Sequence, residues 1–410
     1  MFSLHHQHQA SRFSRSTMGD LTDLKSEIKD ALESNNTALA VEKIQKYLEE
    51  QKVVPVNIAI TGESGSGKST LVNAFRGIDN RDERAAPTGC VETTTEVTSY
   101  SHPKHPNVTI SDLPGIGTTN FPAARYLEHV GFEKFDFFII VSSDRFREND
   151  VKLATEIQRM GKKFYFVRTK IDDNMRAEQR TQRDFDEKQT LQRIRNDCIQ
   201  GLQKLGIESP KVFLVSGFDL HLYDFSSLQQ TLASELPAHK RDALVYAMPS
   251  ISEEIINAKK TALQGLIQYH ATAIALVAAI PVPGLSVYTD LAILVNIVQD
   301  YKVTFGLDDD AIKNLALSAS VSLDDLRAVM KSRLSKEEIS TEVIRQLLSQ
   351  SAENVAVLTI QGIFSFIPLI GMAVTMPLAH KHTTNALYTF LDMLADDAQR
   401  VFKRALGVKV

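Results

Sequence analysis

Tryptophan is absent from this 410-residue chain and cysteine nearly so, with Cys90 and Cys198 alone. Two distant cysteines cannot staple a fold, so a disulfide framework is excluded and a reducing compartment is expected. Charge of one sign is missing too: 46 Lys and Arg stand against 50 Asp and Glu, a formal net charge of −4. That balance gives no electrostatic case for nucleic acid as a partner. Nor does the start hold an apolar run of secretory form. Residues 1–19 are rich in His, Ser and Arg and read as a disordered tail. Met18-Gly19 is not taken as a myristoylation start, because Asp23 stands where Ser or Thr is needed. Cytoplasmic residence follows as the expectation. Hydrophobic residues at 43% and charged residues at 23% exclude global disorder, and the length allows two or more domains.

Residues 20–52 carry apolar positions at helical spacing, Leu21, Leu24, Ile28 and Leu32, then Ala40, Ile44 and Leu48. Asn35-Asn36 interrupts them, so a helical pair is expected. The period then changes. Val56 to Ile60 reads as a strand running into Gly62-Glu63-Ser64-Gly65-Ser66-Gly67-Lys68-Ser69, with a helix from Thr70 onward. This is G-x-x-x-x-G-K-S in the strand–loop–helix context the motif requires. The glycines let backbone N–H groups curl around a phosphate at a helix N-terminus. Lys68 supplies a point positive charge, and the Ser69 hydroxyl is a hard oxygen ligand for Mg²⁺.

Alone, that loop says only nucleoside triphosphate. A second strand, Val108 to Ile110, leads into Asp112-Leu113-Pro114-Gly115. There Asp112 suits a magnesium carboxylate and the Gly115 N–H a γ-phosphate. Phe135 to Ser143 reads as a buried strand. The strand Lys163–Arg168 ends in Thr169-Lys170-Ile171-Asp172, where the Asp172 carboxylate can accept from guanine N1–H and its exocyclic amine, donors that adenine lacks. Lys170 would pack over the base. Thr169 stands where Asn is commoner, so its bracing of the loop is expected to be weak. Ser216-Gly217, after a strand at 212–215, is placed against guanine O6. Strands alternating with helices over 53–237 predict a parallel sheet with helices on both faces. The fold class is α/β, a P-loop NTPase (Ras-like or dynamin-like) G domain. An all-helical domain is built from the N- and C-terminal segments, 20–52 and 238–410.

Gly62–Ser69, the run Asp112-Leu113-Pro114-Gly115-Ile116-Gly117 with Thr119 to Pro122, and Phe164 to Lys170 together resemble the immunity-related GTPases, the interferon-inducible vertebrate family. Lys68 places the likeness with the branch that keeps the P-loop lysine. The resemblance implies a dynamin-like GTPase, GTP and GDP as substrate and product, and homo-oligomers or mixed oligomers with related GTPases through a G-domain dimer. It also implies peripheral action on intracellular membranes in interferon-linked, cell-autonomous defence. Among the switch residues Thr93, Thr94 and Thr95, it favours Thr94 as a ligand of Mg²⁺, and it suggests that Glu92 assists catalysis across the dimer. A solvated loop carboxylate is the equal alternative for Glu92. Ile116 stands where Ras-like enzymes keep the Gln that orients water, so intrinsic turnover should be slow.

Residues 238–410 read as helical. Two uncharged stretches, 271–289 and 355–379, each with a Pro/Gly break, leave three readings open: a buried hairpin, conditional insertion into lipid, or a transmembrane pair. The stripes Ile344, Leu347, Leu348 and Leu387, Phe390, Leu391, Leu394, Phe402 read as core, and the basic finish Arg400, Lys403, Arg404, Lys409 as a solvated face. Two functions compete: an oligomerising, membrane-active GTPase, and a GTP-dependent switch that recruits partners with slow hydrolysis as its timer.

Overall fold

The structure, a computed structural model, describes scattered residues between 26 and 46, then 54–89, 96–114, 131–144, 147–278, 286–354 and 376–408. The chain divides into two compact units.

The first comprises 54–259, 304–330 and 397–410. It is built on β1 (Val56–Gly62), α1 (Lys68–Phe75), β2 (Thr98–Ser101), β3 (Val108–Asp112), β4 (Phe137–Ser142), α2 (Glu148–Arg159), β5 (Phe164–Arg168), α3 (Ile171–Thr181), α4 (Glu187–Gln203), β6 (Val212–Leu214) and α5 (Phe225–Glu235). The six-stranded sheet runs β2-β3-β1-β4-β5-β6. Five strands are parallel, and β2 pairs antiparallel with β3. The expected sheet was wholly parallel, so this edge strand is a difference. Its residues Thr-Ser-Tyr-Ser are mostly exposed, and no apolar alternation announces them.

Alternation within the central strands explains the layering. Val56, Ile58 and Ile60 of β1, with Phe137, Ile139 and Val141 of β4, enter a cluster with Leu71, Val72, Phe225 and Leu228. Ala59, Phe138, Ile140 and Phe166 enter the opposite one with Leu153, Ile157, Met175 and Leu202. Successive side chains point to opposite faces, and both faces are covered by helices, so the strands are apolar throughout. The first cluster continues past residue 237: Leu244 of α6 (Ala238–Ala247), Met248 at its C-terminal end, and Ile251 and Ile255 beyond it pack into it. The unit that holds the sheet includes these residues, through Lys259.

Register sets the site. Ile60 pairs with Asp112, Gly62 with Val141 and Arg168 with Leu214, so the motif residues gather at the strands' C-terminal ends. Beside β1 the connections turn to opposite sides of the sheet, where doubly wound folds open their ligand crevice.

The second unit takes in 1–53, 260–303 and 331–396, and its described residues hold helices and no strand. Near the start, residues 26–31 are helical, and the Asn36 side chain accepts the Leu39 N–H at 3.1 Å, capping the next turn. In α7 (Glu253–Ala278) and α8 (Ser286–Thr304), His270 Nδ1 and Tyr301 Oη share a buried hydrogen bond of 2.9 Å. After α9 (Asp309–Ser318) and α10 (Leu323–Ala328) of the first unit come α11 (Arg333–Lys336), α12 (Thr341–Asn354) and α13 (Met376–Ala405). The stripes at Ile344, Leu347 and Leu348 and at Leu387, Phe390, Leu391, Leu394 and Phe402 are buried. Of the basic finish, Arg400 pairs with Asp397, Lys403 with Glu253 and Arg404 with Asp325. Among the described residues no helix is long and apolar enough to cross a membrane. The breaks at 279–285 and 355–375, like Met18-Gly19 and Lys409, lie outside them.

Candidate functional site

Gly62 closes β1 at φ 144°, and a Cβ there would lie 2.1 Å from the Val141 carbonyl oxygen, so the close approach of β4 admits only glycine. The loop then curls through Gly65 to Gly67, whose left-handed φ of 90° turns the chain into α1. Lys68 is buried and its Nζ donates to the Glu63 carbonyl at 2.9 Å. Ser69, the second residue of α1, has its hydroxyl 2.5 Å from Asp112 Oδ2. Asp112 itself is buried at the tip of β3. A hydroxyl and a carboxylate oxygen so close form a hard-oxygen donor set that fits Mg²⁺, on a half-buried footing that keeps the pair together.

The 169–172 loop is tied to the 62–69 loop. Thr169 is buried, and its Oγ1 donates to the Ser66 carbonyl at 2.6 Å, with the Ser142 carbonyl at 3.3 Å. Where a weak brace was expected, the short threonine hydroxyl itself makes the loop-to-loop bond, and a Cβ added at Gly67 would stand 3.6 Å from Thr169 Oγ1, an ordinary contact. Lys170 sits at φ 56° and its Nζ reaches the Gly65 carbonyl at 2.9 Å. Asp172 is the second residue of α3, buried, with Arg176 Nη2 at 2.9 Å from its Oδ2. Ser216 is buried, and its hydroxyl accepts the N–H groups of Phe218 and Asp219 at 3.2 and 3.1 Å. At Gly217 a Cβ would stand 2.8 Å from the Thr70 methyl, so this turn packs directly on the start of α1.

Motif reading passed over Arg168, the partners of Glu63, and Asp150. Arg168, a charge inside a buried strand, donates to the Thr169 carbonyl at 2.9 Å and to Asn174 Oδ1 at 2.8 Å, and burial lowers its pKa. Glu63 is held from α2's start by Arg147 Nη1 and Asn149 Nδ2, both at 2.9 Å. Behind them Asp150 accepts the Arg147 N–H at 3.0 Å. Burial pushes its carboxyl up to about 6, with nearby Glu63 adding to the rise and the Arg147 N–H and Ser142 opposing it. Arg168 could have been found as a charge in an apolar run; the partners of Glu63 lie too far along the chain for spacing to reveal. Glu92, Thr93, Thr94, Thr95, Gly115 and Ile116 lie outside the described residues.

A family model described as Interferon-inducible GTPase (IIGP) matches residues 21–405. Interferon-inducible GTPase 5 of Rattus norvegicus is 39% identical over 381 residues, 92% of this chain and 82% of that one. Interferon-gamma-inducible GTPase 10 of Mus musculus is 37% identical over 379 residues, covering 92% and 88%. T-cell-specific guanine nucleotide triphosphate-binding protein 2 of Mus musculus is 42% identical over 303 residues, covering 73% and 72%. Among solved structures, S. thermophilus NFeoB bound to GMPPNP overlaps 77% of this chain and 99% of its own at 18% identity and a TM-score of 0.31, too slight a likeness to rest anything on.

Proposed function

The chain belongs to the interferon-inducible GTPase family, and from that membership we propose that it binds GTP between the 62–69 loop and the 169–172 loop and hydrolyses it to GDP and phosphate. The bond from Thr169 Oγ1 to the Ser66 carbonyl carries this reading, because it sets a guanine-reading carboxylate and a phosphate cradle side by side. The backbone N–H groups of Gly62 to Thr70 receive the phosphates. Lys68 is the local positive charge and is freed from the Glu63 carbonyl to meet them. Ser69 and Asp112 would hold Mg²⁺, which supplies charge neutralisation on the phosphate oxygens when bound. Asp172 accepts from N1–H and the amine of guanine, Lys170 covers the base, and the Ser216–Gly217 turn faces O6. Lacking those donors, adenine is rejected by about 10⁴–10⁵.

Ile116 cannot orient water, so turnover is slow in a lone molecule. The family pattern favours Thr94 over Thr93 and Thr95 as the Mg²⁺ ligand and suggests that Glu92 assists across a G-domain dimer, a solvated loop carboxylate being the equal alternative; the Gly115 N–H of the D-x-x-G run meets the γ-phosphate. In this reading the protein is cytoplasmic, oligomerises with GTP and acts peripherally at intracellular membranes in cell-autonomous defence. The alternative is a switch that recruits partners while hydrolysis keeps time. A competition titration of GTP, GDP and ATP tests the first step. Asp172→Asn should move preference to xanthine nucleotides, and unchanged GTP affinity refutes the assignment. Specific activity should rise with protein concentration, accompanied by light scattering; flat turnover from nanomolar to tens of micromolar leaves the monomeric switch.

A further inference from the structure

Asp172 does not stand alone at the start of α3. Arg176, one helical turn on, brings the single nitrogen Nη2 to 2.9 Å from Asp172 Oδ2 and 2.5 Å from Asp173 Oδ1. The two acids are neighbours at one helix end and repel each other; the guanidinium between them is their shared counter-charge. Further acid lies near: after burial, Glu187, Asp172 and Asp219 raise the Tyr223 hydroxyl, and Arg176 opposes them. The Asp172 side chain is 9% exposed and that of Arg176 59%, so the arginine reaches in from solvent and no core packing depends on it.

We infer that Arg176 is a positioning residue for the base-reading carboxylate and thereby sets how strongly the pocket separates guanine from a purine without the exocyclic amine. This rests on the guanine reading of Asp172 given above. A carboxylate offers about four lone-pair sites, so Oδ2 can hold the guanidinium and still accept from a base. Reading guanine takes two parallel bonds, which demand that the carboxylate plane be fixed. Reading hypoxanthine takes one, from N1–H, which tolerates rotation about the Cβ–Cγ bond. Arg176 fixes that plane from the solvent side. Its loss therefore weakens the two-bond ligand more than the one-bond ligand.

The test is equilibrium binding of GDP, IDP and ADP to the full chain, wild type beside Arg176→Gln and Arg176→Lys, at low and high salt. For Arg176→Gln the GDP affinity falls by about three- to fivefold, the size an exposed ion pair commands, while IDP moves less than about twofold, so the GDP/IDP ratio drops. Arg176→Lys, which keeps the charge, falls between. Asp173→Asn takes the charge from the competitor for Nη2 and keeps or raises the ratio. Equal losses for GDP and IDP that fade with salt would mean a general field effect and overturn the inference; so would a lowered melting temperature with the ratio intact. If wild type itself does not prefer GDP to ADP, the guanine reading fails and takes this inference with it; a normal preference with an unmoved variant ratio sinks the inference alone.

Discussion

Asp150→Asn should stabilise the protein at neutral pH and lose that advantage in mild acid. Asp150 is 1% exposed in the first turn of α2, directly behind the arginine and asparagine that grip Glu63. Its carboxyl titrates near about 6 in the fold against an ordinary 3.8. The native state thus holds a proton that the unfolded chain has already released between those values, and stability falls as pH rises across that window. Above pH 6 the whole penalty is present, about 3 kcal/mol. Asparagine keeps an acceptor for the Arg147 N–H and removes the charge. Against the gain stand about 0.5 kcal/mol for an anion lost from a helix N-terminus and about 1–2 kcal/mol for an amide left short of partners. The balance near pH 7.5 is a gain of about 1 kcal/mol, and near pH 5 the variant and wild type should be about equal. Guanidinium chloride melts of nucleotide-free protein at both pH values read this directly. A loss of stability that is the same at both would show that burial does not govern this carboxyl, and GDP affinity should not change, since Arg147 and Asn149 keep their hold on Glu63.

Three further outcomes follow from the geometry. Gly62→Ala puts a methyl 2.1 Å from the Val141 carbonyl at a φ of 144° and should cost more than about 2 kcal/mol with loss of nucleotide binding; a folded variant binding GDP normally contradicts the close approach. Ser69→Ala removes the hydroxyl 2.5 Å from Asp112, so the strengthening of GTP binding by Mg²⁺ should vanish while magnesium-free affinity stays within about threefold, as titrations with and without EDTA will tell. Lys259 is fully buried, donating to Ser250 Oγ at 3.0 Å and the Thr304 carbonyl at 2.6 Å. Burial lowers it to about 7 from 10.5, with Lys104 acting the same way and Asp308 against. The unfolded chain then binds the extra proton between those values, so stability should rise with pH from 7 towards 10.5, and Lys259→Met should flatten that slope in denaturation melts.

The phosphate loop was legible because its requirements are contiguous: a strand, a curl of glycines and a helix start occupy adjacent positions. Asp112 and Asp172 were legible because one closes an apolar strand and the other follows four residues after the end of another, and parallel strands deliver their C-terminal ends to one edge. What failed to show was whatever depends on distant partners or on weak pattern. The edge strand Thr98–Ser101 buries almost nothing, so nothing selects apolar residues there. Leu244, Met248 and Ile255 look like any helical stripe, and only packing reveals that they belong with Val56 and Ile58. The grip on Glu63 joins residues 84 and 86 positions away.

The threonine at 169 shows how a departure from a pattern is absorbed. An asparagine amide carries two N–H donors, whereas a hydroxyl carries one, and two carbonyls, those of Ser66 and Ser142, face it. The single proton goes to Ser66, at 2.6 Å, and the Thr169 backbone N–H serves Ser142 at 2.9 Å. Arg168 then contributes donors of its own, one to the Thr169 carbonyl and one to Asn174, which a short hydroxyl could never reach. Two neighbouring residues thus divide between them the bracing that one amide would give. It follows that Thr169→Asn on its own should not tighten guanine binding, because the Thr169 hydroxyl and the Arg168 guanidinium already supply the bonds that brace this loop. An affinity gain of more than about threefold for GDP in that variant would mean that the hydroxyl leaves the loop under-braced after all.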